Sequence, residues 1–284
     1  MISPKRLLFR FAVRSLEFLH GLHGIHSCFK SNLTTAPLPA ESLDLMTIAF
    51  NNPSIIRHQI KYIRAHVKDN YTYIVADNST NMEASSQIRA LCENEKIAYI
   101  RLPKNHLGKI GPSYSHAAAL NWVCKNITKQ RQPTYFGFID HDLFPVRDLK
   151  ITDYLATQPI YGVKRERGKE WYLSAIMFFF RFDFVKDKKL DFMPVTPSDD
   201  YLDTGGGNWY DIYSKLNPNE LTFASEYIEN FREGGLRHQD QVEIFDKRWL
   251  HTINGSYWKK VTSKEDMIEE LIEKYEKELE TQGY

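Results

Sequence analysis

Apolar and polar positions follow one another in a regular way between residue 43 and the middle of the chain. Four apolar runs have the length and the β-branched or aromatic content of buried strands, namely 45–50, 71–76, 97–102 and 135–139. Segments with helical spacing of apolar positions lie between them, at about 54–67, 85–94 and 113–125. Strands that alternate with helices across short polar junctions predict an α/β fold, with a mostly parallel sheet and helices on both faces.

The composition is that of an ordinary globular protein, and it narrows the classes of partner. The 284 residues are 42% hydrophobic, which is enough for the core of one large domain or two small ones. Lys and Arg number 37 against 36 for Asp and Glu, so the chain has no basic field that would bind nucleic acid. The cysteines show no C-x-x-C spacing and are odd in number, which argues against a disulfide framework and favours a reducing, cytoplasmic compartment.

The N-terminal segment differs in character from the rest of the chain. A helix over residues 3–22 would place Arg6, Arg10 and Arg14 on one basic stripe beside apolar positions. No uncharged stretch here is long enough to span a bilayer. Four roles are open for this helix: peripheral docking on anionic lipid, organellar targeting, packing on the main domain, or pairing with another subunit of a homo-oligomer. Residues 31–39 are polar and contain prolines, which is typical of a linker.

The tripeptide Asp140-His141-Asp142 directly follows the apolar run 135–139. Open α/β sheets bind ligands at the carboxyl ends of their strands, so both carboxylates are expected at a binding edge. Two hard oxygen donors one residue apart can hold Mg²⁺ or Mn²⁺ against the oxygens of a diphosphate. The alternative is an acidic pair in a solvated loop, because such pairs are frequent without any metal.

Polar residues also follow the first two strands. Asn51 and Asp77 each lie just past a strand end, so a parallel sheet would bring them to the same edge as Asp140. Asp77 and Asn78 carry the carboxylate and amide groups that hydrogen-bond a nucleobase or a ribose. The alternative is that Asp77, with the serine and threonine that follow, belongs to a turn and a helix N-cap.

The loop over residues 104–113 combines glycines, two lysines and the start of a helix. Such a loop can lie against phosphates or against a flat base, and Lys109 is its candidate contact. Surface loops use the same residue types without any ligand, so a purely structural role is open as well.

In their order and spacing these elements resemble the nucleotide-sugar-binding half of GT-A fold glycosyltransferases, especially those of family 2, from about residue 43 to residue 148. The resemblance rests on Asn51, Asp77-Asn78-Ser79, Asn105-x-x-Gly108, Ala117-Ala118-Ala119-x-Asn121 and Asp140-His141-Asp142. It implies a GT-A, Rossmann-like fold and a UDP-sugar or GDP-sugar donor.

The resemblance also implies roles for individual residues. Asp77 would contact the base of the donor, and Asp140 and Asp142 would hold the ribose and the metal-bound diphosphate. The chain departs from the family at the second strand, where two acidic residues and a glycine are usual and Asp77-Asn78-Ser79-Thr80-Asn81 stands instead. The identity of the base is therefore open.

The second half of the chain is expected to build the acceptor side. Residues 171–181 resemble the apolar strand that follows the metal motif in this family. Most of its aromatic residues are expected in the core, and only Trp171 and Tyr172 at its start are candidates for stacking on a sugar.

The segment 203–209 reads Asp-Thr-Gly-Gly-Gly-Asn-Trp, in which the glycines would allow close approach of the backbone to a ligand. Its carboxylate makes Asp203 the candidate catalytic base, with Asp240 and Glu226 as alternatives. The other interpretation of this segment is a turn before a helix at about residues 209–216.

The segment 249–258 resembles the late His-x-x-x-Gly-Ser segment of GT-A enzymes, in which the histidine reaches back to the metal or the diphosphate. By that resemblance His251 would be a third metal ligand beside Asp140 and Asp142, and a neutral imidazole suits Mn²⁺. The glycine and serine that follow would offer donors to the phosphates. A lone histidine is otherwise more often structural.

The chain is thus divided into a basic N-terminal segment with a linker, a nucleotide-sugar-binding subdomain, an acceptor-binding subdomain and a charged C-terminal helix, at 1–40, 41–150, 151–262 and 263–284. The sequence predicts a metal-dependent glycosyltransferase of hexosyltransferase type that uses Mn²⁺ or Mg²⁺ and a hydroxyl acceptor such as a glycan. A non-catalytic or membrane-tethered interaction module on the same fold is the alternative. A nucleotidyltransferase is disfavoured, because no glycine-rich loop with a catalytic lysine lies near Asn51.

Overall fold

The computed structural model describes residues 4–22, 33, 38, 40–198, 200–230, 241–253, 271, 274 and 277. The longer helices are α1 (Pro4–Gly21), α2 (Pro53–His66), α3 (Met82–Asn94) and α4 (Pro112–Val123). The strands of the first half are β1 (Leu43–Ala49), β2 (Tyr71–Asp77), β3 (Ala98–Arg101), β4 (Tyr135–Ile139) and β5 (Leu143–Pro145). Those of the second half are β6 (Ile160–Arg167), β7 (Glu170–Arg181), β8 (Glu226–Asn230), β9 (Gln241–Phe245) and β10 (Trp249–His251).

Short helical turns connect these elements, and they are of three kinds. The α-type turns are Lys129–Arg131, Ile151–Tyr154 and Phe182–Val185, and a π-helical turn spans Cys124–Thr128. The 3₁₀ turns are His106–Lys109, Gly206–Trp209, Tyr213–Lys215 and Pro218–Glu220. The helix expected at about residues 209–216 is therefore a pair of 3₁₀ turns rather than an α-helix.

The main sheet has six strands in the order β3-β2-β1-β4-β7-β6. Strands β3, β2, β1 and β4 are parallel, whereas β7 pairs antiparallel with both β4 and β6. The predicted mostly parallel α/β sheet is confirmed. The sheet includes strands from both sides of the predicted boundary at residue 150, and the division into four segments stays a prediction.

A second sheet was not predicted. It has four strands in the order β5-β10-β9-β8, and all of its pairs are antiparallel. Three residues separate the end of β4 from the start of its edge strand β5, so the two sheets are joined at the Asp140-His141-Asp142 tripeptide.

The helices that follow the first two strands begin at asparagine caps. The side chain of Asn52 accepts a hydrogen bond from the backbone of Ile55, and Pro53 occupies the first position of α2. The side chain of Asn81 accepts from the backbone N–H groups of Glu83 and Ala84 at the start of α3. The helix cap that the sequence offered as an alternative role for this turn is therefore present, but at Asn81.

The core lies on both faces of the main sheet. Strand β7 alternates between the two faces, because Phe178 and Phe180 belong to one buried cluster and Met177 and Phe179 to the other. Trp171 is only 5% exposed and packs against the rings of Tyr213 and Phe223, so it is a core residue rather than a sugar-stacking one. Tyr172 is similarly buried, at 4%.

Helix α1 packs on the main domain. Val13 is buried, and the guanidinium of Arg14 donates to both carboxylate oxygens of Asp191 at 2.7 and 3.2 Å. Arg10 donates to the carbonyl oxygen of Thr196 at 2.9 Å. Among the described helices none combines the length and apolar character that crossing a membrane requires.

Two cysteines lie in the described part of the chain, and Cys92 and Cys124 are both buried free thiols.

Most of the predicted C-terminal helix over residues 263–284 lies outside the described residues. Its described positions 271, 274 and 277 are helical, and Leu271 belongs to a buried cluster with Tyr62 and Phe144.

A buried ion pair connects β1 to the segment after α4. Arg131 donates to both carboxylate oxygens of Asp44 at 2.7 and 2.9 Å, and the two side chains are 1% and 0% exposed. Burial raises the pKa of Asp44, and the guanidinium beside it acts in the opposite direction. Loss of the cation would leave an unpaired carboxylate in the core.

Arg131→Met is therefore expected to lower the free energy of unfolding by about 3–5 kcal/mol, measured by urea denaturation. The control is Arg89→Met, because the pair of Arg89 with Glu93 is exposed on α3 and its loss should cost less than about 1 kcal/mol. Equal losses in the two variants would contradict the expectation.

Candidate active site

The carboxyl ends of the parallel strands form one edge of the main sheet. Ala49 at the end of β1 lies opposite Asp77 at the end of β2, and β4 ends at Ile139 on the other side of β1. Asn51 and Asp140 follow these ends, as the sequence predicted. The polar junctions of three strands therefore share one edge, where open α/β sheets bind ligands.

Asp140, Asp142 and His251 form a group suited to a metal ion. One ligand atom from each residue lies within 4.8 Å of the other two. The antiparallel pairing of β10 with β5 produces this arrangement, because His251 lies opposite Leu143, which directly follows Asp142. The Nε2 atom of His251 is 3.1 Å from Oδ1 of Asp142.

Glu243 holds the imidazole of His251 from the other side. It lies opposite His251 in the pairing of β9 with β10, and its Oε2 atom is 2.6 Å from Nδ1. Burial lowers the pKa of His251, but Asp142 and Glu243 together outweigh it and raise the pKa to about 10. A carboxylate on the second ring nitrogen is the usual support of a metal-binding histidine. Sequence reasoning missed Glu243, which appears in the chain as one acid in a short apolar run.

Gln59 fixes the backbone of the acidic tripeptide. This buried residue of α2 donates to the carbonyl oxygens of Asp140 at 2.7 Å and Leu143 at 2.8 Å, and its own oxygen accepts from Tyr73. The backbone N–H of Asp140 donates to the carbonyl of Ile176 in β7. The carboxylates of the tripeptide therefore project from a backbone that is held on both sides.

Asp77 is fully buried, and protein groups surround its carboxylate. Oδ1 accepts from the backbone N–H of Ser79 at 2.9 Å, and Oδ2 accepts from the hydroxyls of Tyr99 and Ser85. Arg101 lies 3.3 Å from Oδ2. Direct contact of Asp77 with a base stays a prediction, and it would require one of these donors to move.

Asn78 and Asn51 also have partners within the edge. Asn78 donates to Oγ of Ser115 at 3.1 Å. Asn51 has a φ of 55°, and its side-chain oxygen accepts from the backbone N–H groups of Thr80 and Asn81, both at 2.9 Å. Asn51 therefore fastens the end of β1 to the turn after β2, and a donor contact by either asparagine stays a prediction.

Lys109 ends a 3₁₀ turn that Asn105 caps, and its side chain is exposed. A phosphate contact for this lysine likewise stays a prediction.

Asp203 begins the glycine segment beside α4. Its Oδ1 atom accepts from the backbone N–H of Thr204 at 2.8 Å and from the hydroxyl of Tyr201 at 3.4 Å. The hydroxyl of Thr204 donates to the carbonyl oxygen of Ser113 in the first turn of α4. These bonds place the carboxylate next to the helix that flanks the sheet edge.

Gly205 and Gly207 pack closely against the backbone of the chain itself, and contact of this segment with a ligand stays a prediction. Gly205 has a φ of 101°, and a Cβ there would lie 2.3 Å from the carbonyl oxygen of Leu173. A Cβ on Gly207 would lie 2.7 Å from the carbonyl oxygen of Asp191. Side chains are thus excluded by close packing of backbone on backbone.

The alternative bases have different surroundings. Both carboxylate oxygens of Glu226 accept hydrogen bonds from Arg165, whose second contact is Glu243 at 3.6 Å. Asp240 lies outside the described residues, as do Gly255 and Ser256.

His116 is a site residue that sequence reasoning missed. Burial lowers its pKa, and its charge interacts with Asp140, Asp203 and Asp142, which act in the opposite direction. It lies in α4 three residues after Ser113, whose carbonyl oxygen accepts from Thr204, the neighbour of Asp203. Its helical position within a run of small residues was its only signal in the sequence.

Residues 44–158 match the family described as "Glycosyl transferase family 2". No curated protein matches the chain.

Solved structures share parts of the chain at low identity. One is TarS of S. aureus, at 18% identity over 53% of this chain and 30% of that chain, with a TM-score of 0.37. Another is the mannosyltransferase PcManGT of Pyrobaculum calidifontis in complex with GDP-Man and Mn²⁺. It is 13% identical over 62% of this chain and 55% of that chain, with a TM-score of 0.36. A third is the galactosyltransferase LgtC with donor and acceptor sugar analogues. It is 14% identical over 51% of this chain and 60% of that chain, with a TM-score of 0.37. The chain thus spans between 30% and 60% of the length of these structures.

The raised pKa of His251 makes a prediction about stability. A group whose pKa rises on folding contributes stability below its unfolded pKa and loses it as the pH rises through the folded value. In metal-free protein, the contribution of His251 should therefore be complete below about pH 6.5 and disappear as the pH approaches 10. Urea denaturation in EDTA across this range should show a fall in stability that His251→Gln reduces. Identical pH profiles for the two proteins would contradict it.

Proposed function

We propose that this chain, whose residues 44–158 match glycosyl transferase family 2, transfers a sugar from a nucleoside-diphosphate sugar to a hydroxyl acceptor. The observation that carries the proposal is the convergence of Asp140, Asp142 and His251 at the carboxyl edge of the sheet. A diphosphate leaving group needs positive charge at this place, and these three residues are suitable ligands for a metal ion there.

The residues of this group fit a divalent cation. Two carboxylates and an imidazole are suitable ligands for Mn²⁺, and the imidazole favours Mn²⁺ over Mg²⁺. Glu243 accepts from Nδ1 of His251, which leaves the Nε2 lone pair for the metal once the ring is neutral. When bound, the cation would neutralise the negative charge that the departing nucleoside diphosphate develops.

The donor would lie along the same edge. Asp140 would contact the ribose, and Asn51, Asp77 and Asn78 would line the side of the base. Asn78 supports this arrangement because its amide bonds to Ser115 of α4, next to His116. Lys109 would reach the phosphates. The proposal includes UDP-sugars and GDP-sugars, since the turn after β2 differs from the family pattern.

Asp203 is the proposed base. If the transfer inverts the sugar, a carboxylate must take the proton of the acceptor hydroxyl. Among the described residues, Asp203 has a long bond to Tyr201 besides the bond within its own turn, whereas Arg165 binds both carboxylate oxygens of Glu226. The hydrogen bond from Thr204 to the carbonyl oxygen of Ser113 holds this turn against the first turn of α4, which supports a place for Asp203 beside the sheet edge.

The metal-type group is tested by Asp142→Asn, which keeps the size of this buried side chain. Transfer should fall by about 100-fold or more at saturating Mn²⁺, because the cation would lose a charged ligand. Asp187→Asn removes an exposed acid and should leave the rate unchanged. Release of nucleoside diphosphate is the readout, and circular dichroism confirms the fold. Full turnover by Asp142→Asn would refute the metal assignment, and no turnover by the unaltered chain would favour the non-catalytic alternative.

The base is tested by Asp203→Asn beside Glu226→Gln. The first variant should lower kcat by about 100-fold to 10,000-fold while the affinity for nucleoside diphosphate, measured by calorimetry, stays the same. The second should lower kcat much less, because Glu226 serves an ion pair. A larger loss of kcat in Glu226→Gln than in Asp203→Asn would instead identify Glu226 as the base.

A further inference from the structure

The outer face of α1 carries large apolar side chains that no described residue covers. Leu8, Phe11, Phe18, Leu19 and Leu22 are 68%, 73%, 67%, 55% and 60% exposed. At about 100° per residue they fall within an arc of roughly 100° along the helix. Scattered exposed apolar residues are ordinary, but a continuous stripe of this size marks an interaction surface.

The orientation of the stripe is fixed by the opposite face of the helix. Val13 is buried against the domain, Arg14 binds Asp191 through two hydrogen bonds, and Arg10 binds the carbonyl of Thr196. The helix cannot turn its apolar stripe inward without breaking these contacts. Arg10 and Arg14 of the predicted basic stripe therefore bind the domain, and the outer face is apolar.

Lysines border the C-terminal end of the stripe. Lys125, Lys129 and Lys189 line a surface cavity of about 450 Å³ together with Phe18 and Gly21. Lys125 donates to the carbonyl oxygen of Gly21 at 2.9 Å, which places it beside the end of α1. All three are exposed, and in the part of the chain that the structure describes none of them forms an ion pair.

The acids beside these lysines are already occupied. Glu17 and Asp191 line the same cavity, and both pair with Arg14. Glu17 also accepts from Asn121. With Arg14 included, the lining of this cavity has four cationic side chains against these two carboxylates, so its formal charge is positive.

We propose that α1 and these lysines form a docking surface for an anionic lipid bilayer. An amphipathic helix lying in the plane of a membrane buries its apolar face among the acyl chains, and neighbouring cations bind the anionic headgroups. The stripe from Leu8 to Leu22 is about 21 Å long, which suits a helix that lies along the surface rather than across it. The positive charge at this end of the stripe complements the anionic headgroups of such a bilayer.

The test is sedimentation of the full chain with vesicles, which needs no nucleotide sugar and is therefore independent of the proposed transfer. The vesicles are phosphatidylcholine alone or an equimolar mixture with phosphatidylglycerol. The unaltered chain should bind the mixed vesicles, bind the neutral ones more weakly, and lose affinity for the mixed ones as salt rises. Failure to sediment with the mixed vesicles would overturn the proposal.

Two double variants separate the apolar and charged contributions. Phe11→Ser with Phe18→Ser should weaken binding to mixed vesicles by at least about tenfold, because two large rings no longer enter the apolar region. Lys129→Glu with Lys189→Glu should weaken it similarly and remove most of the salt dependence. The altered side chains are exposed, so circular dichroism should show an intact fold.

The matched control is Met82→Ser with Ile228→Ser. These residues are 67% and 59% exposed on α3 and β8, away from α1, and their loss should leave vesicle binding unchanged. Wild-type binding by the phenylalanine variant would overturn the proposal. So would light scattering that shows a dimer of the unaltered chain and a monomer of the phenylalanine variant, because the stripe would then bind a second copy.

Discussion

The contact between Asp142 and His251 is the interaction on which the candidate site depends. It joins residues that are 109 positions apart, and it exists only because β10 pairs with β5 in a sheet that begins where β4 ends. Gln59 holds the backbone on one side of this contact, and Glu243 holds the imidazole on the other. Both supports come from elements outside the acidic tripeptide, so the geometry of the ligand group is a property of the whole fold.

The strand ends of the first half could be predicted because their neighbours are plain apolar runs. Asp140 and Asp77 follow such runs, and parallel pairing then requires them to share an edge. The second sheet could not be predicted in this way, since β5 and β10 have three residues each. Glu243 and Gln59 were missed for a related reason. A buried polar side chain becomes recognisable only when its partner from another element is known.

The orientation of helix α1 also could not be predicted from the sequence. Its sequence predicts a basic stripe and apolar positions, but periodicity alone does not say which face meets the domain. Asp191, which lies far along the chain, binds Arg14 and so turns this arginine towards the domain. Similarly, the glycines of the segment 203–209 suggested close approach to a ligand, and the structure shows that Gly205 and Gly207 accommodate the carbonyl groups of Leu173 and Asp191 within the chain. Residue type identified an unusual position in both cases, and tertiary packing determined its role.

Pulsed electron paramagnetic resonance of the chain with one equivalent of Mn²⁺ and a nucleoside diphosphate tests the central claim most directly. If the cation binds between His251 and a diphosphate, the spectrum should show hyperfine coupling to one imidazole nitrogen and to phosphorus. The nitrogen coupling should disappear in His251→Ala. The phosphorus coupling should remain, because Asp140 and Asp142 would still hold the cation against the diphosphate. A bound Mn²⁺ without nitrogen coupling in the unaltered chain would contradict this account of the site.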